Sequence, residues 1–296
     1  MSYNLHMERV DLKTALTNED EGVYLNAGEI EEYRAYKRRR SLNAIAAAIS
    51  ASEASVLGSE DVQRTCERAV RLRQAAIQTP LSKLRQAAYY LSGSGVRLDC
   101  VIGGTGETLP KVKAYEAQLA RRRHADEITV VVTPSFIDCC RYGEVEKELK
   151  RVKRAIGRAL LKVRVEQTYP SHALGKLAQI ASSVRARYFS VPYHMGCEKF
   201  RQQLSLGCRL EVSGVNTLAD YQSLRAAGVS RIITDYAWEF YTEWVRISNE
   251  EDFSAAQPKK QEKTENEPPM DELKPRERDE ERDYQCYLDG DKLKFL

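Results

Sequence analysis

Residues 127–165, EITVVVTPSFIDCCRYGEVEKELKRVKRAIGRALLKVRV, hold one full period of a repeating pattern. Glu127–Val132 and Leu160–Val165 are short runs rich in β-branched side chains. Between them Val145, Leu149, Val152 and Ile156 recur on one face of a helix. A strand, a helix and a second strand in that order make a parallel unit joined by a crossover helix.

The alternation extends both ways. Ala75–Thr79 and Arg97–Ile102 are strand candidates before this unit, and Tyr188–Val191, Arg209–Val212 and Arg231–Thr234 follow it. Val62, Cys66, Ala69 and Val70 form another one-sided helical face. Near the start, Arg9–Leu12 supplies an eighth strand candidate, with Ile30–Ala51 as an extra N-terminal helix behind it. Eight strand–helix units over about 250 residues predict a TIM (β/α)8 barrel rather than an open doubly wound sheet.

Composition changes at Asn249. Residues 250–282 carry Gln, Glu, Lys, Pro and Arg with hardly a large apolar side chain, too little to form a core. Tyr284–Leu296 then turns apolar and aromatic around Asp289-Gly290, the favoured pair for a two-residue hairpin turn. That register sets Cys286 against Leu293 and Tyr284 against Phe295 on one apolar face. The expected organisation is a barrel over 1–248, a disordered charged linker over 249–283 and a C-terminal hairpin over 284–296 that docks on the body or on a protein partner.

The formal net charge of +3 conceals an asymmetry: residues 250–296 hold 15 acids and 9 bases, leaving 37 bases and 28 acids on residues 1–249. A basic body suits a small polar or anionic ligand. No apolar run approaches the ~18 to 20 residues of a membrane span, and the start of the chain lacks an apolar secretory core. The seven cysteines include no C-x-x-C pair and the four histidines have no ligand spacing, so neither a metal nor any other cofactor is expected. Reduced thiols in a cytoplasmic protein are the simplest reading.

Alternation along each strand predicts which side chains face the barrel axis. Lys162, Arg164 and Glu166 share a face opposite Val163 and Val165; Glu127 and Thr129 share another, and so do Arg209, Glu211 and Ser213. The predicted interior therefore holds Glu127, Lys162, Arg164, Glu166, Arg209 and Glu211. Each such charge left unpaired would cost several kcal/mol. They form either a structural ion network or a polar ligand pocket, and the unusual charge of the centre favours the pocket. Gly103-Gly104-Thr105-Gly106 lacks the Lys-Ser/Thr of a phosphate-binding loop, so it is a ligand-facing loop or a plain turn.

Several segments, taken in order and spacing, resemble the deoxyribose-phosphate aldolases: VQRTCERAVRLRQAAIQTP (62–80), VRLDCVIGGTGETLPKVKAYEA (96–117), ADEITVVV (125–132), LLKVRVEQ (160–167), ARYFSVPY (186–193) and LEVSGVNTLADYQSLRAAGVSRIIT (210–234). The resemblance spans roughly residues 8–240 and implies a class I aldolase barrel, which cleaves 2-deoxyribose 5-phosphate to glyceraldehyde 3-phosphate and acetaldehyde through a lysine Schiff base. It also places Lys113 and Glu116 on a family helix, matches Lys162 to a family lysine, and matches Asp11 to an aspartate near the end of the first strand.

The chain departs from that pattern where the chemistry lies. The proton-moving aspartate of the family falls on Thr129, the Schiff-base lysine on Ser190 and the activating lysine on Glu211. Serine cannot form a Schiff base, and a glutamate raises rather than lowers the pKa of a neighbouring amine. The family's phosphate turns are altered too: Val215 follows Ser213-Gly214 where a second glycine is expected, and Asp235 stands where a dianion would sit. The expectation is a barrel without Schiff-base activity, serving as a binding or regulatory module. Its expected ligand pocket is Asp11, Lys162, Arg164, Glu166, Glu211, Ser213, Gly214 and His194, with no catalytic or metal residue assigned. The alternative is a divergent lyase in which Lys162, or Cys197 with His194, takes part.

The basic clusters Lys37–Arg40 and Arg121–Arg123 lack interleaved aromatics and read as solvated helix faces, so nucleic acid is not an expected partner. Trp238, Tyr241 and Val245 fall on one helix face, suited to packing on the barrel or on a second copy in a homodimer.

Overall fold

The computed structural model describes residues 27–57 and 61–255. Within it eight parallel strands close in sequence order into a barrel: β1 (Ser52–Ser55), β2 (Ala76–Pro80), β3 (Arg97–Ile102), β4 (Glu127–Val131), β5 (Leu160–Arg164), β6 (Tyr188–Pro192), β7 (Arg209–Ser213) and β8 (Arg231–Ile233). Helix α1 (Ala27–Ile49) precedes the barrel, and α2 (Val62–Arg71), α3 (Leu84–Leu91), α4 (Pro110–Arg122), α5 (Pro134–Asp138), α6 (Tyr142–Ala155), α7 (Ser171–Ser183), α8 (Leu218–Ala226) and α9 (Ala237–Ala255) follow in turn. This is the predicted TIM barrel with its extra N-terminal helix.

The first strand is the correction. Arg9–Leu12 lies outside the described residues, and the edge between β8 and β2 is filled by Ser52–Ser55, with Glu53 paired to Ala76 on one side and Ile233 on the other. The long helix consequently comes before the first strand, not between the first and second. Ser-Glu-Ala-Ser has no β-branched residue and no apolar alternation, so nothing local marks it as a strand. Two neighbouring strands with unpaired backbone groups recruit it.

The remaining strands form for the reasons read in sequence. Their outward side chains, such as Ile77, Ile128, Val163, Phe189 and Leu210, are fully buried beneath the helices. Helix α6 supplies Val145, Leu149 and Val152 to the same core, as its spacing required. Local chemistry starts several helices: Asp61 accepts from the Arg64 N–H at the head of α2, Thr217 accepts from the Asp220 N–H at the head of α8, and Pro110 opens α4. Trp238, Tyr241 and Val245 on α9 pack against the barrel core. That helix runs on to Ala255, past the composition change at Asn249; the remainder of the expected linker and the hairpin at 284–296 lie outside the described residues. No described helix is long and apolar enough to cross a membrane.

The glycine run after β3 is a packed turn. A Cβ on Gly106, whose φ is +99°, would sit 2.6 Å from the Val132 carbonyl and 2.7 Å from Pro134 Cδ. Gly106→Ala should therefore cost about 1–3 kcal/mol, read as a lower urea midpoint at unchanged slope.

Candidate functional site

Strand stagger sorts the inward side chains of alternate strands into layers across the barrel. Glu127, Tyr188 and Arg231 form the floor. Above them Glu53, Asp99, Lys162 and Glu211 form a layer of four, one from each odd strand. Gln78, Thr129, Ser190 and Ile233 come next, and Ser55, Arg164 and Ser213 stand at the C-terminal mouth.

Lys162 is the centre of the lower structure. Its fully buried Nζ lies 2.6 Å from Glu53 Oε2, 2.8 Å from Glu211 Oε2, 3.0 Å from Asp99 Oδ2 and 3.8 Å from Glu127 Oε2. Arg231 pairs with Glu53 at 3.2 Å and with Glu127, and lies with its guanidinium carbon 4.2 Å from the Tyr188 ring centroid. Thr129 donates to Asp99 Oδ2 at 2.6 Å. Arg97, half exposed beneath the floor, adds a contact to Glu127 Oε1 at 3.1 Å.

The charges do not balance: the sealed core holds four carboxylates, Glu53, Asp99, Glu127 and Glu211, against the cations Lys162 and Arg231. Burial raises the Glu53 carboxyl well above its usual value; Lys162 opposes this, and Glu211 and Asp99 add to it. The net effect biases the Glu53 carboxyl toward its neutral form. Burial would also raise Asp99, but Lys162 and hydrogen bonds from Glu53 and Thr129 hold it below its usual range. Burial alone would pull the Lys162 ammonium down; Asp99, Glu211, Glu53 and Glu127 outweigh it and hold the ammonium above its usual value. Glu53, Asp99 and Glu127 could in outline hold a metal ion, yet the Lys162 ammonium already fills the space between them.

The predicted pocket residues separate by height. Lys162 and Glu211 are sealed and pair with each other at 2.8 Å. Arg164, Ser213 and Gly214 line a cavity of about 160 Å³ at the mouth. Glu166 is exposed beyond the end of β5, 3.0 Å from Arg164 Nε. Arg209, expected inside, is exposed at the other end of β7. His194 lies on the loop after β6, its ring tilted 6.0 Å from Phe200 and its Nδ1 3.1 Å from the Pro192 carbonyl. Asp11 lies outside the described residues; the inward carboxylate on the first strand is Glu53. Cys197 is buried, which raises its thiol and leaves it a poor nucleophile beside His194. Lys113 is buried outside the barrel, where it donates to the Val131 carbonyl at 2.8 Å, to Thr133 Oγ1 at 2.9 Å and to Glu148.

Sequence reading missed Glu53, Asp99, Arg231 and Gln78. Asp99 and Arg231 were within reach, since each alternates with apolar neighbours on a strand already recognised. Glu53 was not, because its strand carries no signal of its own.

Buried polar groups without partners mark where the interior is incomplete. Among the described residues, Gln78 Nε2, Ser190 Oγ and Glu211 Oε1 are buried and make no hydrogen bond. Glu211 Oε2, although 2.8 Å from Lys162, accepts no well-directed hydrogen bond either. Each unpaired group costs about 1–3 kcal/mol.

No protein-family model matches the chain. A deoxyribose-phosphate aldolase of Clostridioides difficile is 27% identical over 186 residues, covering 59% of this chain and 84% of that protein. One from Aciduliprofundum boonei is 32% identical over 115 residues, covering 38% of this chain and 52% of the relative. The tetrameric deoxyribose phosphate aldolase structure from Aeropyrum pernix superposes with a TM-score of 0.61 at 20% identity, over 72% of this chain and 97% of that one.

Two outcomes follow from the charged layer. Lys162→Met leaves Asp99 and Glu211 without a cation and Glu211→Lys sets a second ammonium beside the first; each should destabilise by about 3–5 kcal/mol in urea unfolding. Glu53→Gln, which mimics the protonated carboxyl, should fold. A carboxyl raised in the folded state contributes stability that is fully present below its unfolded value of about 4.5 and is lost as pH rises through the folded value. Glu53→Gln should therefore gain on the parent as pH rises above that range, measured as the difference in melting temperature across a pH series. An unchanged difference would show that Glu53 is ionised throughout. In sequence and in fold together, this chain resembles the deoxyribose-phosphate aldolases.

Proposed function

We propose that the barrel binds a small polar molecule at its mouth as a binding or regulatory module, without the Schiff-base chemistry of the aldolases it resembles. The carboxylate cage around Lys162 carries this reading. An amine must be neutral to attack a carbonyl, and Glu53, Asp99 and Glu211 surround this one within 3.0 Å. The cage also has no exposure to solvent or substrate. The family's nucleophile position is Ser190 and its activating position is Glu211, a residue that strengthens the ammonium it would need to weaken. Asp235 at the mouth opposes a phosphate dianion.

The test is reductive trapping. Full-length protein incubated with 2-deoxyribose 5-phosphate and borohydride should keep its parent mass, and a coupled assay should detect no glyceraldehyde 3-phosphate. A borohydride-stable adduct mapped to Lys162 would overturn the proposal in favour of a divergent lyase.

A further inference from the structure

The mouth cavity has a composition that selects among polar ligands. Its polar lining includes Gln78, Arg164, Ser55, Ser213 and Asn216, and the exposed Asp235 stands on its rim. At about 160 Å³ it has the volume of roughly five water molecules, which suits a short-chain molecule. Gln78 is fully buried; its Oε1 accepts from Arg164 Nη1 at 3.1 Å, and its Nε2 has no partner among the described residues. That amide has two N–H groups to offer and lies on the cavity wall.

The charges around the cavity argue against an anion. Arg164 is its one described cationic lining residue, and Glu166 already pairs with it from outside at 3.0 Å. Asp235 adds a second carboxylate at the rim. A dianion would face both carboxylates with a single guanidinium that is already engaged. A hydroxyl group, by contrast, both donates and accepts. It matches the unpaired Gln78 donor, the Asp235 acceptor and the Ser55 and Ser213 hydroxyls equally well.

We infer that the mouth cavity takes a neutral, unphosphorylated short-chain polyol or hydroxyaldehyde, with the Gln78 amide donating to one ligand oxygen and Asp235 accepting from another hydroxyl. The inference rests on the proposed role of the mouth as a ligand site and names the ligand class for it.

Calorimetric titration of the full-length protein with 2-deoxyribose, erythritol and 2-deoxyribose 5-phosphate tests it. One of the two unphosphorylated probes should bind saturably, and 2-deoxyribose 5-phosphate should bind at least about tenfold more weakly, a difference of about 1.4 kcal/mol. Gln78→Leu should weaken the unphosphorylated probe by about tenfold or more, with its melting temperature checked separately for folding. Asp235→Asn, at an exposed rim position, should shrink the discrimination by improving binding of the phosphorylated sugar. Equal or tighter binding of 2-deoxyribose 5-phosphate by the parent protein overturns the inference. So does an unchanged ratio in Asp235→Asn, or no heat from either unphosphorylated probe at tens of millimolar. The two readings fail separately: a trapped adduct with the neutral-sugar preference intact removes only the non-catalytic proposal, and tight phosphosugar binding without an adduct removes only this one.

Discussion

The Lys162 ammonium sits inside a ring of carboxylates contributed by β1, β3 and β7, each within 3.0 Å. Remove the ammonium and the carboxylates repel one another in a medium that screens them poorly; remove the carboxylates and a cation is stranded away from water. The odd-numbered strands are therefore held at one height by a requirement that none of them meets alone. β1 depends on it most. It is four residues long, and Glu53 is the side chain it sends into the central layer. Salt bridges from Glu53 to Lys162 and Arg231 tie it to β5 and β8.

The same ring sets the charge of Lys162. A lysine that supports a barrel by staying charged is the opposite of one that attacks a carbonyl by becoming neutral. The strain of the arrangement is taken up at Glu53, where burial and neighbouring carboxylates favour the protonated form. Thr129 and Ser190 form part of an uncharged storey between the ion network and the mouth. Gln78 belongs to the same storey, and Arg164 stands above it at the mouth.

Much of the architecture was legible because its cause is local. Seven strands were marked by β-branched runs, and the crossover helices by apolar spacing such as that of Val145, Leu149 and Val152 on α6. The Lys162–Glu211 pair was legible for a related reason: strand alternation put both side chains inside, and two buried opposite charges seek each other. Depth was not legible. Alternation assigns a face but not a height along the barrel axis, so Glu166 and Arg209 were counted inside although each lies at a strand end and reaches solvent.

By itself, then, the sequence determined the parallel barrel class and the inward face of most strands. These follow from side-chain type and periodicity, which act over a few residues. Only the tertiary structure decided that Ser52–Ser55 rather than Arg9–Leu12 closes the barrel, that Glu53, Asp99 and Arg231 complete the cage, and that Gln78 is left with a free donor beside the mouth. Those outcomes depend on strands distant in sequence meeting at a common register, where unpaired backbone groups and unbalanced buried charge choose partners that no local pattern can name.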